Sequence, residues 1–283
     1  QPQSNHRRQP FRRVSNVENL LMTDKKVTLI IDSRGVATIT LNNEEKHNAF
    51  DDIMIRELTE AFEHVANNDN VRVMVLSAKG KSFSAGADIQ WMKRISHYSY
   101  EENLRDASAL ANMLKTLNFM PKPTIARVQG AVFGGAVGLV SCCDIAVATT
   151  RVNFCLSEVK IGLMPATISP YVIAAIGNRA ARRYFMTAES FNAATAMALG
   201  LISEIVDDEA LDSSINQFID TLLKNSPAAL KAAKQLVFDV AGREINTGLI
   251  QETSKRIAAI RVSAEGQEGL SAFLEKRPAQ WIK

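Results

Sequence analysis

Cysteine is scarce: three in 283 residues, with Cys142 and Cys143 adjacent and Cys155 apart. That cannot make a disulfide framework and suits a reducing, cytoplasmic compartment. No CxxC or HxxxH pair occurs and the four histidines, His6, His47, His64 and His97, are scattered, so no metal site is expected. Long apolar runs are missing as well. Residues 128–143 are short and glycine-bearing, and 161–178 is interrupted by Pro165 and Pro170. A membrane span needs roughly 20 mostly apolar residues, so no membrane partner is expected. Nor does one sign of charge dominate, since 33 Lys and Arg against 30 Asp and Glu leave +3. With no basic run interleaved with aromatics, this argues against RNA as a partner.

Phosphate and nucleophile motifs are also absent. Gly130 and Gly135 have the spacing of a phosphate-binding P-loop, but Ala136-Val137 follows where Lys-Ser/Thr is needed. Gly80-Lys81-Ser82 lacks the upstream glycine, and neither GxGxxG nor GxSxG occurs. A bound dinucleotide and a serine-hydrolase elbow therefore have no support.

What remains is a globular composition, 46% hydrophobic and 22% charged, large enough for one big domain or two smaller ones. The first residues stand apart: Gln1–Asn16 hold Arg7, Arg8, Arg12 and Arg13 and no acid. Residues 1–23 read as a disordered basic head or an appended remnant rather than a targeting segment, because the chain does not start with methionine.

From Val27 the pattern becomes regular. Val27–Asp32 and Val36–Leu41 flank Ser33-Arg34-Gly35 as a hairpin. Asp51 or Asp52 caps a helix with Met54, Leu58, Phe62 and Val65 on one face. Val71–Leu76 predicts a strand, followed by a Gly/Ser loop through Gly86 and a helical stretch containing Leu104, Leu110, Met113 and Leu117. Thr124–Val128 is a strand, Gly130–Gly135 a turn, Ala136–Cys143 a short helix, Asp144–Ala148 a strand and Phe154–Leu156 a short extended piece. This alternation predicts an α/β fold with a largely parallel sheet. After Val206 three helices are expected, at Leu211–Leu222, Pro227–Val240 and Arg243–Ala264. The boundaries are then a core over 24–207 and a helical region over 208–283, the latter packed on the sheet domain or on a neighbouring subunit.

Two glycine-bearing turns sit between a strand and a helix: Ser84-Ala85-Gly86-Ala87-Asp88 and Gly134-Gly135-Ala136-Val137-Gly138. Small residues let a ligand approach the main chain, and a helix N-terminus offers unpaired N–H groups. Two such amides converging on one oxygen would form an oxyanion hole. Tight helix–sheet packing explains the same spacing.

Further residues bear a resemblance. Phe83–Ile89, Gly130–Gly135 leading to Cys143–Ala148, and Phe154–Pro165 resemble the enoyl-CoA hydratase/isomerase (crotonase) family. The likeness runs from the hairpin, through Asn48-Ala49-Phe50, to the tail Glu268–Pro278. It implies a crotonase-like spiral of ββα repeats with a C-terminal helical trimerisation region, assembled as a homotrimer or homohexamer. It implies an acyl-CoA thioester substrate, its carbonyl oxygen held by the amides of Ala87 and Gly135, with Glu158 as acid/base residue. Coenzyme A then arrives as part of the substrate, and no separate cofactor is expected. The family's CoA contacts match Lys46, Ala49, Ala85, Ala87, Asp88, Ile89, Gly134 and Gly135, with Phe273 and Lys276 supplied by an adjoining subunit. Read alone, Glu158 is an acid between apolar segments, which should raise its pKa; pairing with Lys160 or Arg151 is the plainer alternative.

The resemblance also has a gap. Hydratases of the family generally use two glutamates, and the first falls on Gly138, which has no side chain and is expected simply to border the substrate. Three readings stay open: Glu158 working alone in hydration, a Δ3,Δ2-enoyl-CoA isomerase with a single glutamate, or an acyl-CoA-binding pseudo-enzyme. Ala166–Tyr171, Cys142-Cys143 and Ala180–Tyr184 resemble the bacterial branch assigned as methylglutaconyl-CoA hydratase, in leucine degradation. Thr167, Ser169 and Tyr171 are candidate water-binding hydroxyls, and Arg179, Arg182 and Arg183 are candidate partners for a distal carboxylate.

Overall fold

The computed structural model describes residues 25–283; the basic head over 1–23 lies outside the described residues. Strands β1 (Val27–Ile31) and β2 (Val36–Leu41) form the expected antiparallel hairpin, with Gly35 at φ 83° in its turn. Helix α1 (Asp52–Asn67) starts where Asp51 Oδ1 accepts from the Met54 amide at 2.8 Å. Its face of Met54, Leu58, Phe62 and Val65 is fully buried, as a 3.6-residue period requires.

Strand β3 (Val73–Ala78) is followed by α2 (Ile89–Ile95), α3 (Tyr100–Asn118), β4 (Thr124–Val128), β5 (Ala131–Phe133), α4 (Gly135–Cys142), β6 (Ile145–Thr149) and β7 (Asn153–Cys155). A six-stranded sheet runs β1-β2-β3-β4-β6-β9, parallel from β2 onward, with β9 at Glu204–Val206. Every residue of β3 is buried, as a parallel strand covered on both faces must be. Met74 and Leu76 face the main core with α1, whereas Val73 and Val75 meet Leu211, Ile215 and Ile219 of α8 (Leu211–Leu223). A second sheet, β5-β7-β8 with β8 at Phe191–Asn192, stands apart from the first.

Sequence periodicity does not resolve the stretch between β7 and β9. It contains a 3-10 turn at Glu158–Ile161, α5 (Ser169–Ile176), α6 (Asn178–Thr187) and α7 (Ala193–Leu199). Each is short and ended by a residue with positive φ (Gly162, Gly177, Ala188, Gly200), so no window is long enough to show a period.

Beyond α8 lie α9 (Pro227–Val240), α10 (Thr247–Val262) and α11 (Ala264–Glu275). Helix α9 buries none of its residues, α10 only Leu249 and α11 only Ala272. Polar ties hold the tail, together with one edge-on ring contact between Phe119 and Phe238 at 4.9 Å. Lys234 pairs with Asp144 at 2.8 Å, and the Arg72 guanidinium donates to the carbonyls of Trp281, Leu223 and Asn225 at 2.8–3.0 Å. No described helix is long and apolar enough to cross a membrane.

Candidate active site

The first glycine turn is threaded between two neighbours. Ser84 pairs with Val132 on one side and Ala87 with Phe50 on the other. The Phe50 amide donates to Gly86 O and the Asp88 amide to Phe50 O, both at 2.7 Å. Successive peptide groups of an extended segment face opposite edges, so these bonds turn the Ala87 N–H away from Phe50. Among the described residues it donates to no protein acceptor. Asp88 then caps α2, its Oδ1 accepting from Trp91 N at 3.0 Å. Burial works to raise the Asp88 pKa, but the Trp91 amide and the Lys46 ammonium outweigh it and hold the carboxyl low.

Asn48 anchors this turn from below. It is fully buried, with φ 54°, a left-handed conformation that asparagine tolerates. Its Nδ2 donates to Lys79 O and Ser82 O at 2.9 and 3.0 Å, its Oδ1 accepts from Asn43 N, and its carbonyl accepts from Ser84 Oγ at 2.8 Å. Ala85 donates to His47 O at 2.9 Å and Ala49 to Lys46 O at 3.1 Å. Lys46, mostly exposed, stands 3.7 Å from Asp88, and Ile89 is exposed beside it.

The second turn opens α4. Gly134 has φ 59° and ψ −121°, a conformation that suits only glycine. As the first helical residue, Gly135 has no residue four positions earlier in the helix to accept its N–H, and no other acceptor is present among the described residues. A methyl group at 134 would stand 3.3 Å from Glu158 Oε1. The carboxylate of Glu158 therefore lies against the turn that offers the Gly135 amide, although 24 residues of chain separate them in sequence. Its other oxygen, Oε2, is buried without a hydrogen-bond partner. Burial pushes the Glu158 pKa up, and the hydrogen bond from its own amide offsets only part of that. The expected alternative of an ion pair fails, since Arg151 instead binds Asp208 at 2.6 Å and no ion pair joins Lys160 to Glu158.

At Gly138 the surroundings are apolar and tight. A Cβ there would lie 2.5 Å from Ile168 Cγ2, 2.9 Å from Ile168 Cβ and 3.3 Å from Leu114 Cδ2. Apolar side chains therefore fill the space that a side chain at 138 would enter, and none of these nearest neighbours is an acid. Ser169 Oγ donates to Ala166 O at 2.6 Å, and Tyr171 has its pKa raised by burial and by Cys142, at the far end of α4 from Gly135. Burial pushes both the Cys142 and Cys143 thiols up, Cys143 to about 12, which disfavours the thiolate that nucleophilic chemistry needs.

Arg183 is engaged with Glu189 at 2.7 Å and lies 5.0 Å over the Tyr184 ring. Arg179 and Arg182 are exposed on α6, which packs against the Glu158–Ile161 turn. Phe273 and Lys276 end α11, Phe273 exposed and Lys276 with φ 56°. Sequence reasoning placed Asn48 only within the Lys46–Ala49 segment of CoA contacts and assigned no role to Phe50 or Ile168. The tripeptide Asn48-Ala49-Phe50 next to a hairpin was the available signal for two of them.

Residues 32–283 match the profile of the enoyl-CoA hydratase/isomerase family. A crystal structure of an enoyl-CoA hydratase from Shewanella pealeana is 48% identical and superposes with a TM-score of 0.91, covering 94% of this chain and all of that one. A trans-2-decenoyl-[acyl-carrier-protein] isomerase from Streptococcus mutans is 30% identical over 90% of this chain and 97% of its own. A short-chain-enoyl-CoA hydratase from Clostridium acetobutylicum is 27% identical over 90% of this chain and 97% of its own. With profile, architecture and both glycine turns in agreement, the chain belongs to the enoyl-CoA hydratase/isomerase family.

Proposed function

We propose that this chain is an enoyl-CoA hydratase that adds water reversibly to a 2-enoyl-CoA, using Glu158 as the sole acid/base residue. The observation that supports it most is the buried, unpartnered Oε2 of a carboxyl group lying against the second glycine turn. The Ala87 and Gly135 amides receive the thioester oxygen. Ionised Glu158 takes a proton from water as the hydroxyl bonds to the β-carbon, and the π electrons move to the thioester oxygen as an enolate. Glu158 then returns that proton to the α-carbon. One carboxyl therefore balances the reaction; a second would serve to position water.

Lys46 suits a CoA phosphate as a point charge, and Phe273 and Lys276 reach the CoA of a neighbouring protomer in a homotrimer or homohexamer. Arg179 or Arg182 would meet a distal carboxylate if the acyl group is 3-methylglutaconyl. The seal at Gly138 favours a second reading, isomerisation of a 3-enoyl-CoA, because Ile168 and Leu114 hold no water. Assays of purified protein with 2-enoyl-, 3-methylglutaconyl- and 3-enoyl-CoA separate the two. Hydration of a 2-enoyl ester is the expected result, and conversion of the 3-enoyl ester without any hydration overturns it.

A further inference from the structure

Both glycine turns are joined by main chain, through Phe133 N donating to Ser84 O at 3.0 Å, and by the side chain of Phe50. Phe50 brackets Ala87 with its main chain, through the two 2.7 Å bonds to Gly86 O and from Asp88 N. Its ring meets the other turn: a methyl group at 135 would stand 3.5 Å from both Cδ2 and Cε2 of Phe50. The residue is 3% exposed, and the Asn48 hydrogen bonds hold its chain two positions away. Main chain and ring are thus fixed to different halves of the site, and only the ring depends on the identity of residue 50.

We propose that Phe50 is a positioning residue that sets the separation between the Ala87 and Gly135 amides. The inference rests on the reading of those amides as donors to a thioester oxygen. Close-packed interiors transmit the loss of a ring as a shift of its neighbours. Removing the ring leaves Ala87 in place, because its bracket is main chain, and takes away the side chain packed on Gly135, leaving the start of α4 to its main-chain tie from Gly134 N to Cys155 O at 3.0 Å. A single displaced donor in an oxyanion hole costs about a hundredfold to a thousandfold in kcat.

The test compares the full chain with Phe50→Leu, Phe50→Tyr and Leu58→Ala. Leu58 is a fully buried residue of α1 outside the site, so its variant reports what core loosening alone does. Phe50→Leu is expected to lower kcat about tenfold to a hundredfold, a fraction of a full donor's worth, with KM little changed and the acid limb of the pH profile unmoved. Phe50→Tyr keeps the ring edge and stays near the parent; Leu58→Ala melts lower yet retains kcat. A β-ketoacyl-CoA gives a second readout, because its enolate absorbs in the near ultraviolet and its bound enolate fraction falls in Phe50→Leu. Parental kcat and enolate absorbance in Phe50→Leu overturn the inference, as does an equal kcat loss in Leu58→Ala. A parent that turns over no CoA ester and binds no enolate overturns the oxyanion reading itself, and this inference with it.

Discussion

A carboxylate taken out of water with no donor for one of its oxygens is destabilised in its charged form, and Glu158 is in that state. Its folded-state pKa lies above that of the unfolded chain, so the folded protein binds the extra proton between those two values. The stability cost is absent below the unfolded value, grows as pH rises through the folded one, and is complete above it. Glu158→Gln is therefore expected to raise the melting temperature at pH 8 and to leave it unchanged near pH 4. The same variant should lose about a hundredfold to ten-thousandfold in kcat, the usual worth of a positioned acid/base group. In the parent, kcat/KM should fall on the acid side at a pH above the ordinary glutamate range, since ionised Glu158 must take the proton from water. Calorimetry of both proteins across that range decides the matter. A Gln variant less stable at pH 8 would mean that the carboxylate is satisfied by contacts the free chain already makes.

Helix α4 shows how one short element carries both chemistry and packing. Positions 134, 135 and 138 fall on one face, three and four residues apart. Glu158 lies over the first turn and Ile168 over the next. Gly138→Ala would gain about 1 kcal/mol of helix propensity, yet its methyl group would overlap Ile168, whose branched Cβ at 2.9 Å cannot rotate away. Overpacking of this kind costs about 1–3 kcal/mol, so a net loss of stability is expected on urea denaturation. Ile168→Ala alone should cost about 2–5 kcal/mol, and the double variant should lose less than the sum of the two. Strict additivity would show that the two side chains do not share the space. This pairing also marks the limit of sequence reading. The hairpin, α1 with its Asp51 cap, and β4 were legible, because period and capping are local. Both glycine turns and Glu158 were legible as motif. The filling of the Gly138 space by Ile168, and the Phe50 ring against Gly135, were not, because each joins positions that only the folded chain brings together. The helices between β7 and β9 were hidden for a related reason: they are too short to show a period and are stabilised by the core they cover.

For the molecule as a whole, the two faces of the tail differ. Helix α8 covers the sheet with Leu211, Ile215 and Ile219, while α9 to α11 leave Ile245, Val262, Phe273 and Leu274 between 76% and 82% exposed. Scattered single apolar residues are ordinary on a surface, whereas a contiguous exposed apolar patch on a segment with little core of its own suits an interaction surface. Self-assembly would bury them, and it would explain why the tail is tied to its own core by Lys234 and Arg72 rather than by apolar burial. If the chain assembles as the proposed homotrimer or homohexamer, light scattering should give three or six chain masses. Phe273→Asp combined with Leu274→Asp should shift the population to smaller species and raise KM for the CoA ester, if residues at the end of α11 complete a neighbour's CoA site. Lys276→Ala supplies the control within an intact assembly: mass unchanged, KM raised several-fold, and a salt-dependent loss of affinity, since an exposed lysine acts on a phosphate through a screened field. If the parent is a monomer with full activity, the tail's apolar residues serve some other contact, and Phe273 and Lys276 have no part in CoA binding.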